Sequence, residues 1–258
     1  MALARWGNSH LGAPELTARP RPAFYALESG GWRDYVTLLH PPYTLWHLSY
    51  VAIGAALAPG LQAHRLVWGL LAFFLGMGIG AHALDELNGR PLGTRIPGWA
   101  LISVAIVSLG AATAIGVAAA LAWTLWLVPC VVFGAFIAVA YTLELVGGLF
   151  HGDLWFALAW GAFPVLAAYL GASGTLRIEA LLAATFAALL SVAQRLLSTQ
   201  VRTIRRRVSE ISGSLVYYDG NVETIDERTL LAVPEAALRA LSVSVVSLAV
   251  ALVVLRLV

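Results

Sequence analysis

The chain has 258 residues, of which 60% are hydrophobic and 12% are charged. An average soluble domain carries about 25% charged residues, so this composition excludes a soluble globular enzyme and a disordered chain. All 16 basic residues are arginine and there is one cysteine, which excludes a catalytic lysine, an internal disulfide and a CxxC redox site. The apolar stretches are continuous rather than alternating, which favours membrane-spanning helices over a β-barrel.

The pattern of apolar stretches predicts an all-α membrane protein. Residues 1–41 are a polar N-terminal segment, in which WRDYVTLLH at 32–40 predicts a short helix lying on the membrane surface. Residues 42–258 predict a polytopic transmembrane bundle. Its seven apolar stretches are 43–61, 66–84, 99–119, 121–143, 154–173, 178–197 and 237–257. A long polar loop at 198–236 separates the last two stretches.

The arginines are distributed unequally among the predicted loops. With a cytoplasmic N-terminus, 13 of the 16 arginines lie on the cytoplasmic side, and only Arg65, Arg177 and Arg256 lie on the other. Because cytoplasmic loops are enriched in basic residues, this asymmetry predicts that the N-terminus and the 198–236 loop are cytoplasmic. The expected location is the cytoplasmic membrane, which in bacteria is the inner membrane.

Prolines and small residues predict local features of the spans. Pro129 and Pro164 fall inside apolar stretches and predict kinks. Small residues spaced along a helix, such as the glycines at 76, 78 and 80 and the pair Gly110 and Ala114, favour close helix packing.

The first polar cluster lies at the end of the second span. His82, Asp85 and Glu86 are spaced i, i+3, i+4 and share one helical face. Two carboxylates and an imidazole could bind a divalent cation or move a proton, so these residues are candidate catalytic groups, with Asp85 and Glu86 as candidate metal ligands. The alternative is a helix end meeting water, with its acids paired to Arg90 and Arg95.

The second cluster follows the sixth span. Gln194, Ser198, Arg202 and Arg205 are spaced along one face of a helix that continues beyond the membrane. Guanidinium groups match phosphate geometry through paired hydrogen bonds, so these four residues, with Arg90 and Arg95, are candidate substrate-binding residues. The alternative is a basic anchor for anionic lipid.

A third polar stretch, at 219–227, is an acidic loop with a turn signal at Asp219-Gly220-Asn221. It lacks the ligand spacing of an EF-hand. A solvated loop and a lid over the first cluster are both compatible with the pattern.

The order of these parts resembles the UbiA-type intramembrane prenyltransferases. That family has an Asn-Asp-x-x-Asp signature after span two, where this chain has AHALD at 81–85, and a following Arg-rich stretch, here RPLGTR at 90–95. The segments LLHPPYTLW at 38–46, IGAALA at 53–58 and RTLLAV at 228–233 also resemble family positions.

The resemblance covers most of residues 32–258 and extends to YTLEL at 141–145, GDL at 152–154 and WGAFP at 160–164. It implies a UbiA-like fold, a substrate site that includes Tyr141 and Asp153, and chemistry on an isoprenoid diphosphate. Two departures accompany it. Of the first signature only Asp85 remains, and the second Asp-rich motif is replaced by STQVRTIR at 198–205. The family's magnesium ions bridge those aspartates to the diphosphate. Since most of the aspartates are missing, the sequence leaves open whether this chain binds magnesium.

Three functions are compatible with the sequence. The first is an atypical UbiA-like transferase acting on an isoprenoid or other lipid diphosphate, with arginines neutralising the leaving group. The second is a non-catalytic UbiA-fold subunit binding lipid or pigment, for which nine Trp and eight Tyr are suitable. The third, a small-molecule transporter, is disfavoured because few polar residues lie in mid-span. The expected partner is membrane lipid or an isoprenoid and not nucleic acid, with a homo-oligomer or membrane complex left open.

Overall fold

The computed structural model describes residues 21–257, which contain nine helices and one short hairpin. The predicted all-α class is confirmed for this part of the chain. The helices are α1 Trp32–Leu38, α2 Pro41–Leu57, α3 Ala63–Leu87, α4 Gly98–Ala122, α5 Leu127–Thr142, α6 Leu145–Gly148, α7 Asp153–Ser173, α8 Ile178–Arg207 and α9 Glu227–Leu257. Strand β1, Ser214–Val216, pairs antiparallel with β2, Val222–Thr224.

Five helices, α3, α4, α7, α8 and α9, are long and apolar enough to cross a membrane. They indicate an integral membrane protein, because about 20 apolar residues are needed to span the hydrocarbon core. Helices also occupy the other two predicted span positions, but they are shorter: α2 has 17 residues and α5 has 16. The short helix predicted at 32–40 is present as α1, and residues 1–20 of the N-terminal segment lie outside the described residues.

Helix α2 lies at the centre of the bundle, packed against α7 and α9. Its side chains Trp46, Tyr50 and Val51 are fully buried, as expected for a helix that is apolar around its circumference. A Cβ atom placed on Gly54 would lie 2.2 Å from the carbonyl oxygen of Val165, so the α2 and α7 backbones meet there. Helix α4 instead has few buried side chains, as a lipid-facing helix does.

The predicted close packing occurs at two of the named glycines: an added Cβ would lie 2.9 Å from the Thr44 side chain at Gly78 and 2.7 Å from the Leu109 side chain at Gly80. Gly110 faces open space, so the prediction of close packing there was wrong. A Cβ on Gly161 of α7 would lie 2.7 Å from the carbonyl oxygen of Ala187 in α8, which makes this a second backbone-to-backbone contact. Such contacts hold membrane helices together by van der Waals packing where side chains are absent.

Two spanning helices contain π-helical segments, Phe74–Ala81 in α3 and Ala157–Ala162 in α7. Pro164 lies two residues after the end of the second segment. Proline lacks an N–H and its ring crowds the carbonyl four residues earlier, which here belongs to Trp160. At the position where Pro164 predicted a kink, the structure therefore has a π-helical segment. Pro129 lies in the first turn of α5, where no helical hydrogen bond is lost.

One end of the bundle gathers most of the polar side chains. At this polar end α3, α5 and α8 terminate, while α2, α7 and α9 begin. Two contacts join these termini: Asn88 Nδ2 donates to the carbonyl oxygen of Thr142 at 3.0 Å, and Arg205 pairs with Glu235 at 2.6 Å. The predicted 198–236 loop is shorter than expected, because α8 extends to Arg207 and α9 begins at Glu227.

The opposite end contains Arg65 and Arg256, two of the three arginines assigned to it from the sequence. Arg65 Nη1 donates to the carbonyl oxygens of Gly171 and Ala172, at 3.3 and 3.1 Å, near the end of α7. Arg256 Nε donates to the carbonyl oxygen of Ala56 at 2.8 Å. Basic side chains suit these positions because the carbonyls at a helix C-terminus lack helical partners.

Candidate functional site

The loop after α3 is organised around Glu86, which is fully buried. Its Oε2 accepts a hydrogen bond from the Leu92 amide at 2.9 Å, and Oε1 accepts from the amide and hydroxyl of Thr94 at 2.8 and 2.9 Å. A buried carboxylate is costly unless such donors surround it. Both oxygens of Glu86 are therefore engaged by the loop, which favours a structural role over the predicted catalytic and metal-binding ones.

Two more contacts hold the same loop. Arg90 Nη1 donates to the carbonyl oxygens of Ile96 at 2.6 Å and Thr94 at 3.4 Å. Buried Asp34 of α1 accepts from the Arg95 amide at 2.9 Å. Of the two arginines expected to bind substrate here, Arg90 thus anchors the loop, whereas the Arg95 side chain is exposed at the surface.

Asp85, the other predicted acid, faces a different environment. The charges of Arg202 and Arg206 on α8 act on its carboxylate, but among residues 21–257 no ion pair joins Asp85 to either arginine. The structure thus places Asp85 and Arg202 at the same end of the bundle, in agreement with their positions at the ends of spans two and six. Arg206, one helical turn beyond Arg202, was missed as a site residue although the i, i+4 spacing indicates a shared face.

Arg205 forms an ion pair between two helices. Its guanidinium is mostly buried and pairs with Glu235 at 2.6 Å, with Glu227 at a longer 3.9 Å. This ion pair joins α8 to α9 at the polar end. Arg205 was predicted to bind substrate, and the structure gives it an interhelical partner instead of placing it beside Asp85.

The remaining predicted residues of α8 lie on its buried face. Gln194 is buried, and its Oε1 has no hydrogen-bond partner among residues 21–257. Ser198 is also buried and donates its hydroxyl to the carbonyl oxygen of Arg195 at 3.2 Å. Of these two side chains, only Gln194 has a buried oxygen atom without a hydrogen-bond donor among residues 21–257.

Arg195 connects Tyr141 and Asp153, the two residues that the resemblance implies. It donates to the Tyr141 hydroxyl and pairs with the exposed Asp153 carboxylate, while its guanidinium lies 5.2 Å from the ring centre of Phe156. Arg195 was missed as a site residue. The signal that could have identified it is an arginine inside an apolar stretch, a costly position that usually marks an interior site.

Three histidines near the polar end are fixed in the same way. In each ring Nδ1 donates to a backbone carbonyl, which fixes the orientation of the ring. Two of the three carbonyls belong to the π-helical segments, where helical hydrogen bonding is shifted. The pairs are His82 with Gly78 at 3.0 Å, His47 with Trp160 at 2.8 Å and His151 with Tyr141 at 2.9 Å.

A fourth histidine, His40, lies at the junction of α1 and α2. Its Nδ1 is 2.5 Å from the Tyr25 hydroxyl, its ring centre is 4.3 Å from that of His82, and its Nε2 is buried without a partner among residues 21–257. Burial lowers the pKa of His40 well below its ordinary value, so its imidazole is neutral at pH 7. Burial likewise raises the pKa of Tyr25.

The acidic stretch at 219–227 folds as the tip and second strand of the hairpin and the start of α9. Asp226 Oδ1 accepts from the amide and hydroxyl of Thr229, both at 2.7 Å, which caps α9. The Thr229 amide bond is the largest cause of the lowered pKa of Asp226. The stretch is exposed and its acids are used locally, which favours a solvated loop over a lid.

Whether a magnesium ion could bind at this end of the bundle depends on the oxygen ligands that its side chains offer. Magnesium prefers several oxygen ligands in octahedral geometry. In residues 21–257, no group of three or more His, Cys, Asp or Glu side chains could hold a metal ion. Glu86 is occupied by its loop and Asp85 is beside two arginines, so the described residues do not fit a magnesium centre.

An apolar cavity lies between α3, α4, α5 and α7, alongside α2. It extends from Arg65 and Trp123 near one end of the bundle to Trp160 near the polar end. The Trp160 ring packs edge-to-face on Tyr141 with centres 5.5 Å apart, which joins the cavity wall to the Arg195 contacts. The lining includes Val51, Gly76, Ala112, Val131, Ile137 and Phe163.

Comparisons of the chain with protein-family models, curated proteins and solved structures found no match. The resemblance to UbiA-type enzymes therefore depends on the sequence motifs alone.

Proposed function

We propose that this chain is an integral membrane transferase, distantly UbiA-like, that acts on an isoprenoid or other lipid diphosphate. The observation that carries the proposal is the apolar cavity, whose wall residue Trp160 packs against Tyr141 of the polar end. An apolar tail suits the cavity, and an anionic head group suits the arginines beside Asp85. The cavity and the arginines together favour an amphiphile with a phosphate head over a wholly apolar ligand.

The proposed head-group residues are Arg202 and Arg206, with Arg195 about two turns earlier on α8. Guanidinium groups hold phosphate oxygens through paired, charge-assisted hydrogen bonds. In the transfer, the allylic C–O bond of the donor breaks and the diphosphate leaves with the electron pair. Positive side chains that meet this developing charge stabilise the transition state, which gives the arginines a role that needs no metal.

Binding of geranylgeranyl diphosphate and of geranylgeraniol to the purified protein tests this proposal. We expect the diphosphate to bind at least tenfold more tightly, and Arg202→Lys to weaken its binding about tenfold, because one paired hydrogen bond is worth about 1.4 kcal/mol. Arg207→Lys is the matched control on the same helix end and should leave binding unchanged. Equal affinities for diphosphate and alcohol, or equal effects of the two variants, would contradict the head-group site.

We further propose that all seven apolar helices span the membrane with the polar end in the cytoplasm. In a Cys130→Ser background, Ser212→Cys in the segment between α8 and β1 should react with an impermeant maleimide only from the cytoplasmic side. Thr175→Cys, in the exposed turn between α7 and α8, should react only from the opposite side. Labelling of both positions from one side would overturn the topology.

A second candidate is a subunit that binds the same lipid without transferring it. The engagement of Glu86 by its loop and the poor fit for magnesium favour this alternative. Release of diphosphate from bound geranylgeranyl diphosphate distinguishes the two, since a binding subunit would retain the donor intact.

A further inference from the structure

We propose that His40 is the general base of the transfer and takes the proton of a hydroxyl-bearing acceptor on its Nε2. This inference rests on the proposed transferase function and adds a residue that neither the motifs nor the resemblance identified. Three observations support it: the environment of the two ring nitrogens, the backbone conformation of His40, and its position beside the proposed head-group arginines.

The two ring nitrogens of His40 have different surroundings. Nδ1 is 2.5 Å from the Tyr25 hydroxyl, whereas Nε2 is buried with no partner in the described chain. A buried polar atom normally has a hydrogen-bond partner, so an unpaired one indicates a missing partner. In the proposed tautomer Nδ1–H donates to the Tyr25 oxygen, so Nε2 holds the lone pair and can accept from an acceptor hydroxyl.

The backbone of His40 is strained. Its φ of 45° and ψ of 56° place it in the left-handed region, which non-glycine residues rarely adopt. It also precedes Pro41, and a residue before proline prefers extended backbone. Glycine or asparagine would adopt this left-handed backbone before a proline at a lower cost than histidine. The histidine side chain therefore serves a purpose other than stability here.

The neighbours of His40 suit a neutral base. Its ring lies 4.3 Å from that of His82, and the charges of Arg202 and Arg206 also act on it. Those positive charges disfavour protonation of His40 in the empty site. A diphosphate bound to the two arginines would offset them, so proton acceptance becomes favourable when the donor is present.

The proposed step is balanced. The allylic C–O bond of the donor breaks and both electrons leave with the diphosphate. The acceptor oxygen supplies an electron pair to the allylic carbon and forms a new C–O bond. Its proton passes to Nε2 of His40, which becomes an imidazolium and later releases the proton to water.

Water is the simplest hydroxyl acceptor, so hydrolysis of geranylgeranyl diphosphate in ¹⁸O-labelled water tests the step. We expect labelled geranylgeraniol from the wild type, because the label enters the alcohol only when the C–O bond breaks. His40→Asn should reduce this rate about a hundredfold, the range of general-base catalysis, without weakening donor binding. Its thermal midpoint should change little, because asparagine tolerates left-handed backbone and this gain offsets the loss of the bond to Tyr25.

Matched variants separate a base from a structural residue. His64→Asn, an exposed histidine of α3, should leave the rate unchanged. His40→Gly fits the same backbone, and added imidazole should restore its rate. A wild-type rate in His40→Asn, or no imidazole rescue, would exclude His40 as the base. Donor binding without labelled alcohol from the wild type would contradict the base while leaving the head-group site standing, and absent donor binding would contradict both.

Discussion

Replacement of Gly54 by alanine is expected to destabilise the bundle more than any other single methyl group added to α2. The new Cβ would lie 2.2 Å from the Val165 carbonyl oxygen and 2.9 Å from its carbonyl carbon, which are backbone atoms that cannot rotate away. The helices α2 and α7 would have to separate, and α2 is the centre of the core. We expect a loss of about 3 kcal/mol or more in the free energy of unfolding.

The measurement is thermal unfolding in detergent, together with the yield of monodisperse protein. Gly110→Ala is the control: it adds the same methyl group to a helical glycine with no atom within 4 Å. Its stability should equal or slightly exceed that of the wild type, because alanine favours helix by about 1 kcal/mol over glycine. If both variants behaved alike, the α2–α7 contact would not have the close geometry described.

Replacement of Glu86 by glutamine is expected to have the second-largest effect on stability. Each carboxylate oxygen accepts from a backbone amide, so the glutamine NH₂ group must face an N–H donor at Leu92 or Thr94. Loss of one bond to a buried charge and the donor–donor contact together should cost about 3 kcal/mol. Thermal unfolding and protease cleavage within residues 88–97 would measure the loss.

Asp85→Asn is the matched control, since it neutralises the neighbouring carboxylate, which takes no part in the bonds that hold the loop. Its unfolding temperature should stay close to that of the wild type. Greater loop cleavage in Asp85→Asn than in Glu86→Gln would show that the two acids had been assigned the wrong roles.

The sequence predicted the helices well because membrane spans are specified locally. A run of about 20 apolar residues is a sufficient signal, and polar residues at the ends of such runs must lie near water. For the same reason Asp85 and Arg202 could be assigned to one end of the bundle before any contact was known. The extension of α8 and α9 beyond their apolar stretches escaped the same approach, because their outer turns are polar.

The roles of individual side chains were harder to predict, since they depend on contacts between distant segments. Glu86 and Asp85 are adjacent in sequence, yet only Glu86 faces the loop amides. Arg205 and Arg202 are equally basic, yet Arg205 meets Glu235 across a separation of 30 residues. Residue type alone could not distinguish the roles of these neighbours. His40 became a candidate base only when the structure showed its contacts with Tyr25 and His82 and its left-handed backbone.

The π-helical segment Phe74–Ala81 helps to set which face of α3 carries the polar residues that follow it. A π-helical turn accommodates an extra residue within an α-helix. Deleting one residue there, such as Gly76, would allow regular α-helix and leave His82 and Asp85 on nearly the same face. The same deletion in the regular part of α3, such as that of Gly69, would instead rotate everything that follows by about 100°. The loss of a single codon therefore turns the acid away from the arginines only when that codon lies outside the π-helical segment.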